Sequence, residues 1–285
     1  MANIHEYLLW RGDIPLSRKY PFNEVDSLVL SRFSYLRMDK IQMDDGETIE
    51  SLSQKLKDIP SDGFLYRGDK ELIINLGNSI RFNQMRITDY EKNNDKEIEK
   101  QFAAVVVHIS EKEMYISFEG TDATLHGWKE NFNMGFMDDV PCQVTGKEYL
   151  EKIAAKYPEK KIRLGGHSKG GNIAIYSAIT VSEEIQNRMI KVDSYDGPGL
   201  NKNTIEEFVT TENNNENNIG PSMIRIKKEN WQDILNLYDI FIELLNNLPT
   251  TPILITKLPL EFISNLVFSL QTLDTQERIL IKMII

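Results

Sequence analysis

At 285 residues the chain is long enough to bury one substantial core, or two smaller ones, without disulfides or metals. Its composition, 41% hydrophobic and 27% charged, is that of an ordinary globular protein, and a net charge of -10 argues against a dedicated nucleic-acid binder and against adsorption on anionic lipid. A single cysteine, Cys142, excludes an internal disulfide framework and a multi-cysteine zinc site, and its expected role is that of a small buried side chain.

The first twenty residues carry Glu6, Arg11 and Asp13 and lack the uninterrupted apolar core of a signal peptide. Arg11-Gly12-Asp13 and Arg67-Gly68-Asp69 read as turns in which glycine supplies a positive φ, not as adhesion motifs. Residues 23–37 predict an amphipathic helix, with Val25, Leu28, Leu30, Phe33 and Leu36 near helical spacing, and residues 51–57 predict another after the acidic turn Asp44-Asp45-Gly46. Residues 89–100 are strongly charged and read as a solvated helix or loop.

Beyond this point the pattern changes. Residues 102–107 form a compact β-branched run, and residues 114–118 follow after a charged turn, so the two read as adjacent strands of a hairpin. Helix at 147–155, strand at 162–164, helix at 172–179 and strand at 190–195 then alternate. Strands this apolar, separated by helices, predict a mostly parallel central sheet with helices on both faces. Residues 210–218 are rich in Asn, Glu and Thr and read as a surface loop; 223–226 reads as a further strand, and 231–248 as an amphipathic helix, more a packing element than a lid. No stretch reaches the roughly 18 uninterrupted apolar residues of a spanning helix, so a soluble, cytoplasmic protein without a stable membrane span is expected. The domain division expected is an N-terminal helical or cap region at 1–100 packed on a core at 101–285, with an atypical tail from about 210.

The sharpest chemical signal is Gly165-Gly166-His167-Ser168-Lys169-Gly170-Gly171, which holds G-x-S-x-G as Gly166, Ser168 and Gly170. An apolar strand precedes it and a helical pattern follows, which is the context of a nucleophile elbow. There the serine sits on a strained turn, the flanking glycines let strand and helix approach, and the hydroxyl projects near a positive helix N-terminus. A phosphate-binding turn is the competing reading. A Walker loop needs Gly-Lys followed by Ser or Thr, but here Ser168-Lys169 runs in the opposite order, Gly146-Lys147 is followed by Glu148, and no G-x-G-x-x-G occurs. A second element is Gly120-Thr121-Asp122, directly after the strand at 114–118. Read as half of an oxyanion hole, it offers the Thr121 backbone N–H and hydroxyl, with the N–H of Lys169 as the other donor. Taken alone, Gly120-Thr121-Asp122 reads as a simple turn.

These blocks together resemble a family. Residues 118–122, then 127–132 (Gly-Trp-Lys-Glu-Asn-Phe), then the block ending at Asn172, resemble uncharacterised bacterial lipase-like proteins related to the class 3 (fungal-type) lipases of the α/β-hydrolase superfamily. Residues 7–13, 21–26, 30–32, 34–35 and the turn Asp196-Gly197-Pro198-Gly199 resemble it too, so the likeness covers roughly the first 210 residues. It implies an α/β-hydrolase core, Ser168 as nucleophile, and Thr121 with Lys169 at the oxyanion hole, without naming a substrate.

In this fold the triad runs Ser, then Asp or Glu, then His. The four histidines are His5, His108, His126 and His167, and none follows Ser168. His126, in the loop after the Thr121 strand, is the upstream candidate for a base; His108 reads as structural, and the side chain of His167 is expected to point away from the Ser168 hydroxyl. Asp196, at a strand end, and Asp233, after the next candidate strand, are the two candidate acids, and each reads equally as a turn or cap residue. A serine without its base loses on the order of a million-fold in turnover.

Three functions follow: a serine hydrolase of the carboxylic ester or lipase type acting on a small-molecule acyl ester or lipid; a non-catalytic hydrolase-fold protein that binds a ligand or partner in the inherited cleft; or a truncated enzyme lacking its histidine. No cofactor, no metal and no nucleic-acid partner is expected, and the oligomeric state stays open.

Overall fold

The computed structural model describes residues 3–204 apart from 67, 123, 124, 135, 136 and 202. All of them fall in one compact unit, Met1–Met223. The expected loop at 210–218, strand at 223–226 and helix at 231–248 lie outside the described residues.

Helix α1 (Ile4–Arg11) starts in a capping box: Asn3 accepts the His5 and Glu6 amides, and Glu6 reaches back to the amide of Asn3. Helix α2 (Glu24–Ser31) repeats the device with Asn23 and Asp26. The helix expected over 23–37 is therefore shorter and gives way to a 3-10 turn at Phe33–Tyr35. A short strand β1 (Glu47–Thr48) leads into α3 (Ile49–Leu56), and α4 (Asp69–Asn78) follows.

Then come β2 (Arg86–Asp95), β3 (Lys100–His108), β4 (Glu113–Phe118), α5 (Leu125–Asn133), α6 (Pro141–Lys156), β5 (Lys161–His167), α7 (Lys169–Thr180), the short α8 (Glu183–Gln186) and β6 (Met189–Tyr195).

The six strands lie in sequence order, β1 to β6. β1 to β4 pair antiparallel in succession, whereas β4–β5 and β5–β6 are parallel. The sheet is thus mixed, not mostly parallel. The physical reason is connection length: four residues join β2 to β3 and four join β3 to β4, too few for a crossover, while helices separate β4, β5 and β6. The charged run at 89–100 is also not a helix or loop but most of β2 and the turn after it. A bulge between Thr88 and Glu91, with Asp89 at φ 54°, bends the strand there.

Two apolar layers cover the sheet. On one face Phe102, Ala104, Val106, Ile116 and Phe118 pack under α6 and α7; on the other Val105, Val107 and Tyr115 pack against Val29, Leu30 and the other N-terminal helices. Inside this second layer Arg81 forms a buried ion pair with both oxygens of Asp26 and donates to the carbonyls of Ile14, Tyr20 and Pro21, so one side chain fastens the arm between α1 and α2. The Tyr7 hydroxyl donates to the same carboxylate at 2.8 Å.

The glycines of the two Arg-Gly-Asp tripeptides are not at positive φ. Gly12 has φ -65° and Gly68 has φ -87°. A side chain at Gly12 would instead collide with the Leu8 carbonyl and the Ser79 side chain, so close approach selects glycine there. No helix among the described residues is long and apolar enough to cross a membrane.

Candidate active site

Strands β4 and β5 run parallel with Phe118 opposite Gly166, so the segment Glu119–Asp122 and the turn at Ser168 leave the same end of the sheet. Ser168 lies between the last residue of β5 and the first of α7 with φ 56° and ψ -130°. A non-glycine residue in that region carries about 1–3 kcal/mol of backbone strain and persists only where its surroundings hold it. Here they do: the Ser168 amide donates to the Tyr195 carbonyl at 2.8 Å, and the Gly171 amide donates to the Ser168 carbonyl at 2.9 Å.

The two glycines of the motif have a steric cause. A methyl group at Gly166 would lie against the backbone of Gly170, and one at Gly170 would lie against the Phe118 carbonyl and the carbonyl carbon of Glu119. The start of α7 therefore rests directly on the ends of β4 and β5. Its first turn leaves the Lys169 amide outside the helical ladder, beside the half-buried Ser168.

Thr121 is 8% exposed, and its hydroxyl is buried without a hydrogen-bond partner among the described residues. The Thr121 carbonyl accepts from the Tyr66 hydroxyl at 3.2 Å. On either side of it, the Gly120 carbonyl accepts from Gln101 Nε2 at 3.2 Å and the Asp122 amide donates to Gln101 Oε1 at 3.3 Å. Glu119 is buried next to this loop, and loss of solvation, opposed by Lys92 and reinforced by Asp122, pushes its carboxyl up to about 7.

The side chain of Lys169 is wholly buried. Its Nζ donates to Glu130 Oε2 at 2.7 Å and to the backbone oxygen and Oε1 of Gln101, each at 2.6 Å. Glu130 also accepts the Gln101 amide and the Cys142 amide, both at 2.9 Å. Cys142 is buried as expected, and burial raises its thiol well above the ordinary range.

His167 faces away from this network. Its Nδ1 is 3.2 Å from the Tyr35 hydroxyl, which also donates to the His167 carbonyl at 3.0 Å. Burial, followed by the nearby Arg32 guanidinium, lowers the affinity of His167 for a proton, and Asp196 partly opposes this. Arg32 stacks 4.1 Å over Tyr35 and 4.5 Å over Tyr66. His108 ends β3 at the opposite end of the sheet, paired with Met114 of β4, with Nε2 2.9 Å from Thr88 Oγ1, and burial takes it down to about 4.

Asp196 follows β6 with φ 52° and is exposed. The turn it opens is tied to α7, because Asn172 Nδ2 donates to the carbonyls of Pro198 and Gly199 while its Oδ1 accepts from Gln143 Nε2. His126 is not in a loop but at the start of α5, one helical turn before Glu130, where only its backbone is described. Asp233 lies outside the described residues. Ser168, Thr121, Lys169, Gly166 and Gly170 are thus brought together, and Asp196 stands at the end of the neighbouring strand. Among the described residues no imidazole hydrogen-bonds the Ser168 hydroxyl, and no cluster of His, Cys, Asp or Glu is arranged to hold a metal.

Gln101, Glu130, Tyr35 and the Lys169 side chain are additions to the residues singled out from sequence. A signal was present: Glu130 sits in the 127–132 block and Lys169 in the glycine block, so two blocks far apart in the chain held opposite charges.

The Mbeg1-like family matches residues 76–224, from α4 past β6. No curated protein matches the chain. Among solved structures, a fungal lipase–inhibitor complex described as a model for interfacial activation in lipases is similar, with 17% identity, a TM-score of 0.41 and 64% of each chain covered. The chain thus spans less than two thirds of that lipase's length.

Proposed function

The chain belongs to the Mbeg1-like family, and from that premise we propose that it is a serine hydrolase of the α/β-hydrolase fold, cleaving a small-molecule acyl ester or lipid with Ser168 as nucleophile. The observation that carries this reading is the backbone of Ser168: a φ of 56° on a residue wedged between a parallel strand and a helix N-terminus. The fold stores strain at the one residue whose hydroxyl the chemistry needs.

In the proposed reaction Ser168 Oγ attacks the ester carbonyl carbon, and its proton passes to the base. The carbonyl oxygen becomes an oxyanion that accepts hydrogen bonds from the Lys169 amide and from the amide and hydroxyl of Thr121. The Thr121 hydroxyl, buried and without a partner among the described residues, supports that role. Collapse expels the alcohol with the proton, leaving an acyl-serine that water then hydrolyses. His126 is the proposed base, and Asp196 or Asp233 the acid that orients it; the position of His126 on α5, the helix that carries Glu130 to Lys169, supports the first assignment. The helices within residues 1–100 form a cap region in this reading, supported by Tyr35 and Tyr66, which reach His167 and Thr121. A cytoplasmic location belongs to the same proposal, supported by the single, free, buried Cys142.

One observation favours a second reading, a binding module without turnover. Among the described residues the imidazoles of His167 and His108 engage Tyr35 and Thr88, and none hydrogen-bonds Ser168.

The experiment is intact-mass labelling of the purified protein with a fluorophosphonate beside Ser168→Ala. Rapid stoichiometric labelling that vanishes in the variant is the expected result, with His126→Ala slowing it roughly a thousandfold or more. A folded wild-type protein that stays unlabelled would sink the hydrolase reading and leave the binding module.

A further inference from the structure

Gln101, at the start of β3, is buried and uses every polar group it has. Its amide donates to Glu130, its carbonyl and Oε1 accept from Lys169 Nζ, and its Nε2 donates to Glu119 and to the Gly120 carbonyl. Its Oε1 also takes the Asp122 amide. One side chain amide therefore holds the peptide groups immediately before and after Thr121, and the same oxygen is gripped by Lys169. These are the two residues whose amides the ester-cleavage reading assigns to the oxyanion.

Neither loop could set this spacing alone. The Thr121 segment has left β4, and the Lys169 amide belongs to a turn under strain. The three protons of the Lys169 ammonium are placed on Glu130 and on two oxygens of Gln101, which fixes the side chain in direction as well as distance. Glu130 closes the frame, because its other oxygen accepts the Cys142 amide in the first turn of α6.

We propose that Gln101 is a positioning residue for ester cleavage, a gauge between the Thr121 and Lys169 amides that the buried Lys169–Glu130 pair holds in place. The proposal rests on the reading of Ser168 given above. Oxyanion donors act only when aimed at the place the charge develops, and an error of about 1 Å costs on the order of a hundredfold in rate. Substrate binding does not depend on that aim, so the effect falls on kcat and spares KM.

The test is Gln101→Met, which keeps the volume and removes the hydrogen bonds of the side chain amide. Hydrolysis of p-nitrophenyl acetate is measured per serine titrated by fluorophosphonate, so unfolded molecules are not counted. Amide exchange is followed over 118–122. The expected result is a kcat lower by roughly ten- to a hundredfold, a KM within about twofold, and faster exchange at Asp122. A merely structural role would lower the titrated fraction and leave kcat per site unchanged, which overturns the proposal. Where Gln101→Met does not fold, the double variant Lys169→Met with Glu130→Gln frees the same oxygen and is expected to lower kcat in the same way; an unchanged kcat per site overturns the proposal equally. A wild-type protein that neither labels nor hydrolyses overturns the reading of Ser168 itself, and any catalytic role for Gln101 with it, and so is distinguishable from an active wild type indifferent to Gln101.

Discussion

At Gly170 the space available is the whole argument. The atoms that a methyl group would strike are the Phe118 carbonyl and the Glu119 backbone, which belong to the sheet and the loop after it and cannot swing aside as a side chain tip would. Gly170→Ala is expected to cost about 3 kcal/mol, read as a lower urea midpoint at unchanged slope. Gly199→Ala is the control, since nothing lies within 4 Å of a methyl group there. The serine and its glycines were legible in the sequence because their spacing expresses a local backbone requirement. Gln101 was not, because its importance comes from partners 18 to 68 residues away, and a glutamine at the start of an apolar run carries no mark of them.

Glu119 gives a pH signature at the same scale. Burial holds its carboxyl at about 7 in the folded protein, against an ordinary 4.5. From pH 4.5 to 7 the folded chain keeps a proton that the unfolded chain has released, so folding binds a proton and stability falls as pH rises through that window. The loss reaches about 3 kcal/mol by the upper end. Glu119→Gln is expected to flatten this limb in melts taken across the window, and an unchanged slope would assign it to another group.

Among the elements, β2 shows why charge misled. Only Arg86 and Ile87 of this strand face β1, so among the described residues it is a free edge from the bulge onward. Charged side chains on a free edge discourage pairing with another chain, and a run selected for that purpose reads as a solvated loop. Of the strands that were legible, β3, β4 and β5 each lie between two neighbours and are mostly buried, whereas β6 pairs with β5 on one side and is mostly half-buried. Helices α1 and α4 were not read, although Asn3 and Glu6 carry a capping signal. The arm between α1 and α2 depends on a single buried cation, Arg81, whose partner Asp26 lies in a helix N-terminus. Asp26→Asn is expected to cost about 3–5 kcal/mol by stranding that charge, and to speed amide exchange over residues 14–21.

Across the molecule, the apolar layers enclose β3 and β4 on both faces and β5 lies paired between β4 and β6, while the far end of β2 is wet. Hydrogen exchange is expected to be slowest in β3 to β5 and faster over residues 93–95, as local opening requires the least burial to be lost there. The alternation of strand and helix made the two-faced α/β plan legible, but its continuation backward to the first strands was not warranted. From β2 to β4 the sheet is a meander with short turns, and the parallel strands β4 to β6 are wound by crossover helices.

The mixed sheet carries a consequence for the order in which the chain folds. The antiparallel run from β2 to β4 closes loops of four residues, a small entropy loss, whereas pairing β5 onto β4 must first close the forty-odd residues that hold α5 and α6. The meander is thus placed to form early and offer the edge of β4 as a template, with β5, α7 and β6 condensing on it. The left-handed turn at Ser168 arises only when that last docking occurs, so its strain is loaded after the transition from coil to sheet is mostly complete. A substitution that relaxes the turn should then slow unfolding and leave the folding rate almost untouched.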